Sequence, residues 1–310
     1  MRTAITMTVL ALALAGAAHA EPCLPPTPTP DFANATIRTT DLGHRTFLLE
    51  GASGTVGGNV ALVVGDDGVL VVDDMFGQMY GKLKAAIAAV TAQPVRYVVN
   101  THFHRDHTGG NEAFARDGAV VVAHENVKRV LASGSRSGLT CLVTPPAAEG
   151  ALPKETYRDT LTLRLGGRSA ELLHYTDTHT DGDTAIWLAD ANVLIAGDLA
   201  FFGRYPNIDF LYGGSIDGAI RGADELLKAA RPDSVIVPGH GPAGTTATLR
   251  AYRAMLADAR ERVAALKAAG RTEEEVVAAR PTADYDAKLQ AGERGIGNFL
   301  RGVYRSLPNR

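Results

Sequence analysis

The chain has 310 residues, of which 45% are hydrophobic and 21% are charged, and its formal net charge is −3. A chain of this length and composition buries one large core or two modest ones. Both charge signs are scattered and no cluster of Lys or Arg occurs. This pattern argues against nucleic acid or an anionic membrane as a partner and favours a small molecule. It says nothing about oligomeric state.

Residues 1–20 have the pattern of a secretory leader. Arg2 provides a basic start, an apolar centre follows, and Ala18-His19-Ala20 precedes Glu21 as a small-x-small cleavage site. The apolar centre is too short for a membrane-spanning helix, and no later stretch reaches the required length. We therefore expect a periplasmic or secreted protein that begins at Glu21, with no membrane insertion after the leader is removed. A lipid anchor at Cys23 is less favoured, because no attachment pattern precedes it.

Residues 21–45 are predicted to form an extended amino-terminal arm, since five prolines fall between Glu21 and Asp31. Cys23 in this arm and Cys141 are the two cysteines of the chain. In an oxidising compartment they can pair and tie the arm to the loop near Pro145. Two free thiols remain the alternative.

Residues 46–247 are predicted to form the main domain. Apolar runs at Asn59 to Val64 and Val69 to Val72 flank a turn cluster and predict a β-hairpin. Leu83, Ile87 and Val90 have helical spacing, and Val95 to Val99 predicts the next strand. The order here is therefore strand, helix, strand.

A second strand-rich half follows a Gly, Ser and Pro-rich stretch from Ser133 to Pro153, which predicts a long loop. The predicted strands of this half are Thr160 to Leu165, Ala170 to Tyr175, Thr184 to Leu188, Val193 to Ala196 and Ser234 to Val237. A helix from Ile216 to Ala230 precedes the last strand. Two such halves indicate an α+β fold in which two sheets pack face to face with helices outside. Residues 248–310 are predicted to be a helical extension, with a capping box at Thr272 and Glu275.

The segment after the strand Val95 to Val99 contains three histidines and one aspartate within six positions: His102, His104, Asp106 and His107. Groups of this kind crowded onto one loop repel and desolvate one another unless a cation holds them. The segment therefore predicts a metal site.

Three later polar clusters also follow predicted strands, and they contain His179, Asp198 and His240. Each cluster alone is typical of an ordinary turn or loop. Together they supply the ligands that the first cluster lacks for two metal ions.

Four motifs in this order, H-x-H-x-D-H, a His followed by T-x-G-D, G-D and P-G-H-G, resemble the metallo-β-lactamase superfamily across Thr46 to Gly244. The resemblance implies a four-layer αββα sandwich with the metals at one edge between the two sheets. It implies that His102, His104 and His179 hold one zinc, that Asp106, His107 and His240 hold a second, and that Asp198 bridges both. Iron or manganese suits the same ligands.

Such a site implies hydrolysis, because two zinc ions lower the pKa of a shared water to about 7. Asp106 is then the predicted catalytic group that orients the hydroxide. The β-lactamases of the family usually carry Cys or Ser where this chain has Asp198, and the cysteine type has Lys where it has Phe201. The bridging aspartate instead resembles glyoxalase-II-like thioesterases and lactonases, although those are mostly cytosolic.

We therefore expect an exported zinc hydrolase of an amide or ester-like bond, with weak or moderate β-lactamase activity first and thioesterase or lactonase activity second. A non-hydrolytic di-iron or metal-binding protein is a further alternative. The segment after Asp198 is the predicted pocket wall, with substrate contacts from Phe201, Arg204, Tyr205 and Asn207. Packing of these aromatic side chains within the loop is the competing interpretation.

Residues outside the four motifs have supporting or structural roles in this interpretation. Asp73 and Asp74 are candidates to accept the free N–H of a ligand histidine. His44, His124 and His174 match no motif, so we expect surface or packing roles for them.

Overall fold

Two mixed β-sheets form the centre of the protein in the computed structural model, which describes residues 23–52 and 56–308. The first sheet begins with six strands: β1 (Ile37–Asp41), β2 (Thr46–Gly51), β3 (Val60–Val64), β4 (Val69–Val72), β5 (Val95–Asn100) and β6 (Val120–His124). A small hairpin of β7 (Ser135–Arg136) and β8 (Val143–Thr144) follows, and β9 (Glu155–Tyr157) then completes the first sheet beside β6.

The second sheet contains the remaining strands of the described residues in chain order. These are β10 (Thr160–Leu165), β11 (Arg168–Tyr175), β12 (Asp183–Leu188), β13 (Val193–Phe201), β14 (Val235–His240) and β15 (Gly244–Thr245). Strands β10 to β13 are antiparallel, whereas β13 and β14 are parallel. The helix before β14 makes that parallel crossover.

Helices connect and cover the sheets. They are α1 (Tyr80–Val90), α2 (Arg105–Thr108), α3 (Asn111–Arg116), α4 (Glu125–Ser133), α5 (Ile216–Ala229), α6 (Thr246–Ala268), α7 (Glu273–Ala279), α8 (Ala283–Lys288) and α9 (Glu293–Ser306). Short 3₁₀ turns lie at Gly77–Met79, Glu149–Ala151 and Phe210–Tyr212. None of the helices in residues 23–52 and 56–308 combines the length and apolar character needed to cross a bilayer.

Side chains from both sheets meet in one apolar layer. Val72, Val99 and Val122 lie on neighbouring parallel strands of the first sheet, in register with one another. They pack in one cluster with residues of the second sheet such as Ile186 and Val237. Strands covered on both faces have continuous apolar sequences, which is why β3 to β5 are rich in valine.

Helices bury the outer faces of the two sheets. Leu83 and Ile87, one turn apart on α1, are buried against the outer face of the first sheet. The second sheet is covered by α5, α6 and α9, whose buried residues form one cluster with Phe201 and Phe202. The four layers are therefore helix, sheet, sheet, helix, and the predicted αββα fold is confirmed.

Three predicted elements differ from the structure. The predicted arm 21–45 contains the edge strand β1. Ile37 is the one partly buried residue of this strand, and one such residue does not give the alternation of apolar and polar side chains that predicts a strand. The predicted loop Ser133 to Pro153 contains the hairpin of β7 and β8. Strand β13 runs on to Phe201, so Asp198 lies inside this strand, at a register irregularity, and not after its end.

The boundary at 247 separates residues that pack together. Helix α6 begins at Thr246, and its buried face joins the core over the second sheet. The carboxyl-terminal helices are thus the outer layer of the sandwich. The predicted capping box at Thr272 and Glu275 is present at the start of α7.

Candidate metal centre

The seven predicted ligands lie at one edge between the two sheets. Four of them follow β5 on one short segment that ends in α2. The other three come from the second half of the chain: His179 lies between β11 and β12, Asp198 lies in β13, and His240 ends β14. Their side chains form two groups, each with donor atoms within 4.8 Å of one another.

The first group comprises His102, His104, His179 and Asp198. Nδ1 of His104 lies 3.0 Å from Nε2 of His102 and 3.0 Å from Nε2 of His179. Oδ2 of Asp198 lies 3.3 Å from Nε2 of His179 and 3.6 Å from Nε2 of His102. Three imidazole nitrogens and one carboxylate oxygen therefore converge on one point, which is the number and kind of donors that zinc takes.

The second group comprises Asp106, His107 and His240. Nε2 of His240 lies 3.2 Å from Nε2 of His107 and 3.3 Å from Oδ2 of Asp106. The other oxygen of Asp198, Oδ1, lies 3.3 Å from Nε2 of His107. Asp198 thus faces one group with each of its oxygens.

The Asp198 carboxylate shows that the donor set fits cations. Its Oδ1 is buried and has no hydrogen-bond partner among the described residues. An ionised oxygen in that position is costly unless a positive charge faces it. Glycine is required beside it, because a Cβ at Gly239 would lie 1.9 Å from this oxygen. The residues present therefore fit a pair of metal ions that share Asp198.

The pKa values of the donors reflect a negatively charged site. Burial lowers the pKa of His107, but Asp198, Asp73 and Asp106 outweigh burial and raise it to about 10. Burial would raise the pKa of Asp106, but His107 and His240 hold it well below its usual range. In the absence of a metal a proton supplies the positive charge that the carboxylates require, so metal binding displaces it.

Four ligand histidines are oriented by groups outside the two clusters. Nδ1 of His107 donates to Oδ2 of Asp73 at 2.7 Å. Nε2 of His104 donates to Oδ2 of Asp209 at 2.9 Å. An ionised carboxylate can only accept, so in the neutral form of each ring the other nitrogen carries the lone pair, and this nitrogen is directed at its cluster.

The remaining two oriented histidines follow the same rule. Nδ1 of His179 donates to the backbone carbonyl of Asn207 at 2.9 Å. Nδ1 of His102 lies 3.1 Å from the hydroxyl oxygen of Thr101, and that hydroxyl donates to Asp73 at 2.8 Å. Nε2 of His102 and His179 is therefore the metal-binding nitrogen in each case.

Asp73 and Asp74 differ in what they contact. Asp73 orients His107, as expected. The side chain of Asp74 accepts the backbone N–H of Gly110 at 2.8 Å and bonds no histidine ring, so the expectation for Asp74 is wrong. Its contact with His107 is a backbone one, from the N–H of Asp74 to the His107 carbonyl at 3.1 Å. The backbone leaves the extended conformation directly after β4, with a left-handed φ of 61° at Asp73, and the two neighbouring side chains reach different partners.

Sequence reasoning missed two supporting carboxylates. Asp209 bonds His104 across 105 positions of the chain, and no spacing signals such a contact. Asp183 accepts the backbone N–H of His179 at 2.7 Å and that of Thr180 at 2.8 Å, which fixes the loop that carries His179. Asp183 is the last residue of the T-x-G-D motif, so the motif identified this residue but did not indicate that it fixes the loop carrying His179.

The open side of the centre lies at His104 and Asp106. Their side chains are 22% and 24% exposed, whereas those of His102 and His107 are inaccessible. Within residues 23–52 and 56–308, this is therefore the side from which a substrate reaches the site.

The four predicted substrate contacts have different positions. Phe201 lies beside the site, with its ring stacked on that of His240 at 5.3 Å between centroids. Asn207 is exposed at the mouth, and its carbonyl orients His179. Arg204 is exposed.

The prediction for Tyr205 is wrong. Its hydroxyl donates to Oδ1 of Asp286 at 2.6 Å, and its ring stacks on Phe299 at 4.4 Å. Both partners belong to the carboxyl-terminal helices, so Tyr205 packs away from the metal centre. The carboxyl-terminal helices bind this side chain, and nothing in the sequence around Tyr205 indicates that contact.

Cys23 and Cys141 form a disulfide, with their Cα atoms 5.5 Å apart.

The three histidines that match no motif lie outside the metal centre. His124 and His174 stack on each other at 3.6 Å, and His44 is exposed. The predicted leader, residues 1–20, lies outside the described residues.

Comparison with known proteins agrees with this geometry. The profile of the metallo-beta-lactamase superfamily matches residues 53–240. The 2,4-dinitroanisole O-demethylase subunit alpha of Nocardioides sp. (strain JS1661) is 30% identical over 156 residues, which are 48% of this chain and 44% of that protein. The hydroxyacylglutathione hydrolase of Methylococcus capsulatus is 32% identical over 182 residues, 56% of this chain and 60% of that protein. The chain thus spans less than two thirds of either relative.

The fold also matches solved structures. The metallo-beta-lactamase from Pontibacter korlensis superposes with a TM-score of 0.60 at 22% sequence identity, covering 72% of this chain and 100% of that one. At this identity the likeness concerns the fold alone. The matched profile covers more than half of the chain and includes all seven clustered donors. The chain therefore belongs to the metallo-beta-lactamase superfamily.

Proposed function

We propose that this protein is an exported hydrolase that uses two zinc ions to cleave an ester-like bond in a small molecule. The observation that carries the proposal is the position of Asp198, whose two oxygens each lie 3.3 Å from a histidine nitrogen of a different donor group. A carboxylate in that position lets two cations lie within about 4 Å of each other. When bound, such a pair acidifies a water molecule and polarises the bond to be cleaved.

Asp106 is the residue we assign to proton handling. Its side chain is at the open side of the site, and its lowered pKa keeps it ionised at neutral pH. An ionised carboxylate there accepts a hydrogen bond from the attacking water and orients it toward the substrate. Nε2 of His240 lies 3.3 Å from Oδ2 of the same carboxylate, a separation that suits two donors to one ion.

Thioesters and lactones are the favoured substrates, with β-lactams second. Asp198 occupies the position at which β-lactamases of the superfamily usually have Cys or Ser. The likeness to β-lactamase structures extends to the fold alone, whereas the relative named hydroxyacylglutathione hydrolase shares 32% identity with this chain. We therefore place the thioesterase or lactonase reaction ahead of the β-lactamase reaction that we first expected.

Two observations support export. Residues 1–20 have a leader pattern. The two cysteines of the chain form a disulfide, which is typical of oxidising compartments such as the periplasm.

The test is turnover by purified, disulfide-intact protein loaded with zinc, with metal content measured on the same sample. A thioester, a lactone and a β-lactam are compared, and chelated protein is the control. We expect thioester or lactone hydrolysis at least about tenfold faster than β-lactam hydrolysis, and loss of all three on chelation. A variant with Asp198→Cys should shift the ratio toward the β-lactam. Full zinc occupancy without hydrolysis of any substrate would refute the proposal, and so would native loading with iron.

A further inference from the structure

A groove of about 120 Å³ borders the metal centre at His104. Asp209 and Asn207 line it beside His104, and the opposite wall belongs to residues 135–144, which we call the lip. A larger cavity of about 580 Å³ lies across the lip, but none of the seven donor residues lines it. The smaller groove is therefore the one that is continuous with the open side of the site.

The lip carries exposed apolar surface. Among the residues that the structure describes, the large hydrophobic side chains that are exposed are Leu142 at 55%, Val143 at 67% and Leu211 at 52%. Leu142 lines the groove, and Val143 is next to it. Leu211 lies against the lip, because a Cβ at Gly138 would be 3.1 Å from its Cγ. Exposed apolar side chains gathered at one place mark a binding surface.

Covalent and backbone bonds hold the lip on its outer side. Cys141 of the lip is joined to Cys23 by the disulfide. The backbone N–H of Leu24 donates to the carbonyl of Leu139 in the lip at 2.9 Å. The amino-terminal arm therefore fastens the lip at two points.

The carboxyl-terminal helices hold the lip from below. Arg305 donates through Nη1 to the carbonyl of Gly138 at 3.0 Å. Its remaining nitrogens bind the buried Glu273, with Nε 2.6 Å from Oε2 and Nη2 2.7 Å from Oε1. A wall held from two sides binds a ligand without a large cost of ordering the loop.

We propose that the lip is a specificity wall that binds a short apolar acyl or alkyl group of the substrate, while the bond to be cleaved lies at the metal centre. This inference rests on the proposed hydrolase function. The groove begins at His104 and extends to Leu142, so one substrate molecule can place its scissile bond at the metal centre and its apolar group against the lip. Leu142, the exposed apolar residue that lines the groove, is the specificity-determining residue.

The test compares acetyl, butyryl and hexanoyl thioesters of one thiol. In wild-type protein kcat/KM should rise about tenfold from acetyl to hexanoyl, since each buried methylene group contributes about 0.8 kcal/mol and roughly two are covered. A variant with Leu142→Gln, the lip variant, should lose most of this rise, and the loss should appear in KM for the hexanoyl substrate. The acetyl substrate is the internal control.

Binding of the product acids gives a readout that does not need turnover. Calorimetric titration with hexanoate and acetate should show tighter binding of hexanoate by wild type and equal binding by the variant. A second variant with Cys23→Ser and Cys141→Ser should show a smaller loss of the same preference, because the lip keeps its contacts to Arg305.

Two outcomes would overturn the inference. One is an equal decrease in kcat/KM for all three thioesters in the lip variant, and the other is equal binding of the two acids by wild type. If zinc-loaded protein hydrolyses no thioester, lactone or β-lactam but hexanoate binds more tightly to wild type than to the variant, the hydrolase proposal fails and the apolar subsite stands.

Discussion

The two donor groups receive their outer support from different parts of the molecule. In the second group, His107 is oriented by Asp73 at the end of β4, within the same sheet as the metal-binding loop. In the first group, His104 and His179 are oriented by Asp209 and the carbonyl of Asn207, which follow β13 in the other sheet. His102 of the first group is also reached from Asp73, through the hydroxyl of Thr101. The first group is thus supported from both halves of the chain, whereas His107 of the second group is supported from within one half.

One site therefore combines donor histidines whose outer hydrogen-bond partners come from different halves of the chain. The support of His107 comes from the first half alone. Both groups need the two halves docked, because His179 and His240 come from the second half, and the first group also takes outer partners from that half. Asp198 belongs to both groups, so it couples the two modes of support.

Removal of Asp198 should have the largest effect. In Asp198→Ala we expect both ions to bind more weakly and kcat/KM to fall by more than about 100-fold, since each group loses a negatively charged donor. Native mass spectrometry and steady-state turnover measure this. The exposed Asp233 provides a matched control, and Asp233→Ala should leave both readouts unchanged. Two fully bound ions in Asp198→Ala would contradict the bridging role.

Removal of one histidine should separate the groups. His179→Ala takes a donor from the first group and His240→Ala takes one from the second. Each variant should retain one tightly bound ion, because a zinc site that loses one of its few protein ligands is strongly weakened. Titration with a chromophoric chelator counts the ions. Loss of both ions in either variant would show that the two groups do not bind independently.

Removal of the outer carboxylates should have intermediate effects on different ions. Asp209→Asn should weaken the ion of the first group by about 10-fold to 100-fold. Asp73→Asn should weaken the ion of the second group by a similar factor and have a smaller effect on the first, which it reaches through Thr101 and His102. Competition with a chelator measures each affinity. Asp74→Asn is the matched control, since the side chain of Asp74 bonds no ligand histidine. Equal weakening by Asp73→Asn and Asp74→Asn would place the effect in folding and not in orientation.

Replacement of His124, whose ring stacks on that of His174 away from the metal centre, should have the smallest effect. Burial and the adjacent His174 lower the pKa of His124, in contrast to His107. The unfolded chain then takes up a proton at higher pH than the folded protein does, so the free energy of unfolding should fall as pH drops below about 6.5. In His124→Asn this loss should be smaller.

The control for that experiment lies in the helix cap. His124 caps α4 by accepting the backbone N–H of Asn126, and asparagine can do the same. Denaturant unfolding of chelated wild type and variant at pH 7.5 and 5.5 measures the difference. The same acid dependence in both proteins would count against His124.

Much of the site was predictable because its donors are adjacent to strand ends. His102, His104, Asp106 and His107 lie on one segment, so their proximity follows from chain connectivity. His179 and His240 follow apolar strands that parallel or antiparallel pairing brings to one edge. The predicted sandwich is confirmed for the same reason, since apolar alternation and continuous apolar runs report burial directly.

Other features were not predictable because they depend on contacts between distant residues. Tyr205 sits in an aromatic segment next to a donor strand, yet its hydroxyl is taken by Asp286, 81 positions later. Asp74 and Asp73 are neighbours in sequence, but only Asp73 faces the cluster.

The sequence by itself determined the order of strands and helices, the seven donors and the two cysteines that can pair. These are properties of local pattern and side-chain chemistry. Only the tertiary structure decided which oxygen of Asp198 faces which group, that Asp209 orients His104, and that the lip borders the groove. Those contacts join segments far apart in the chain, and their geometry exists only after the two sheets and the helical layer have packed, because packing fixes distances that sequence spacing leaves free.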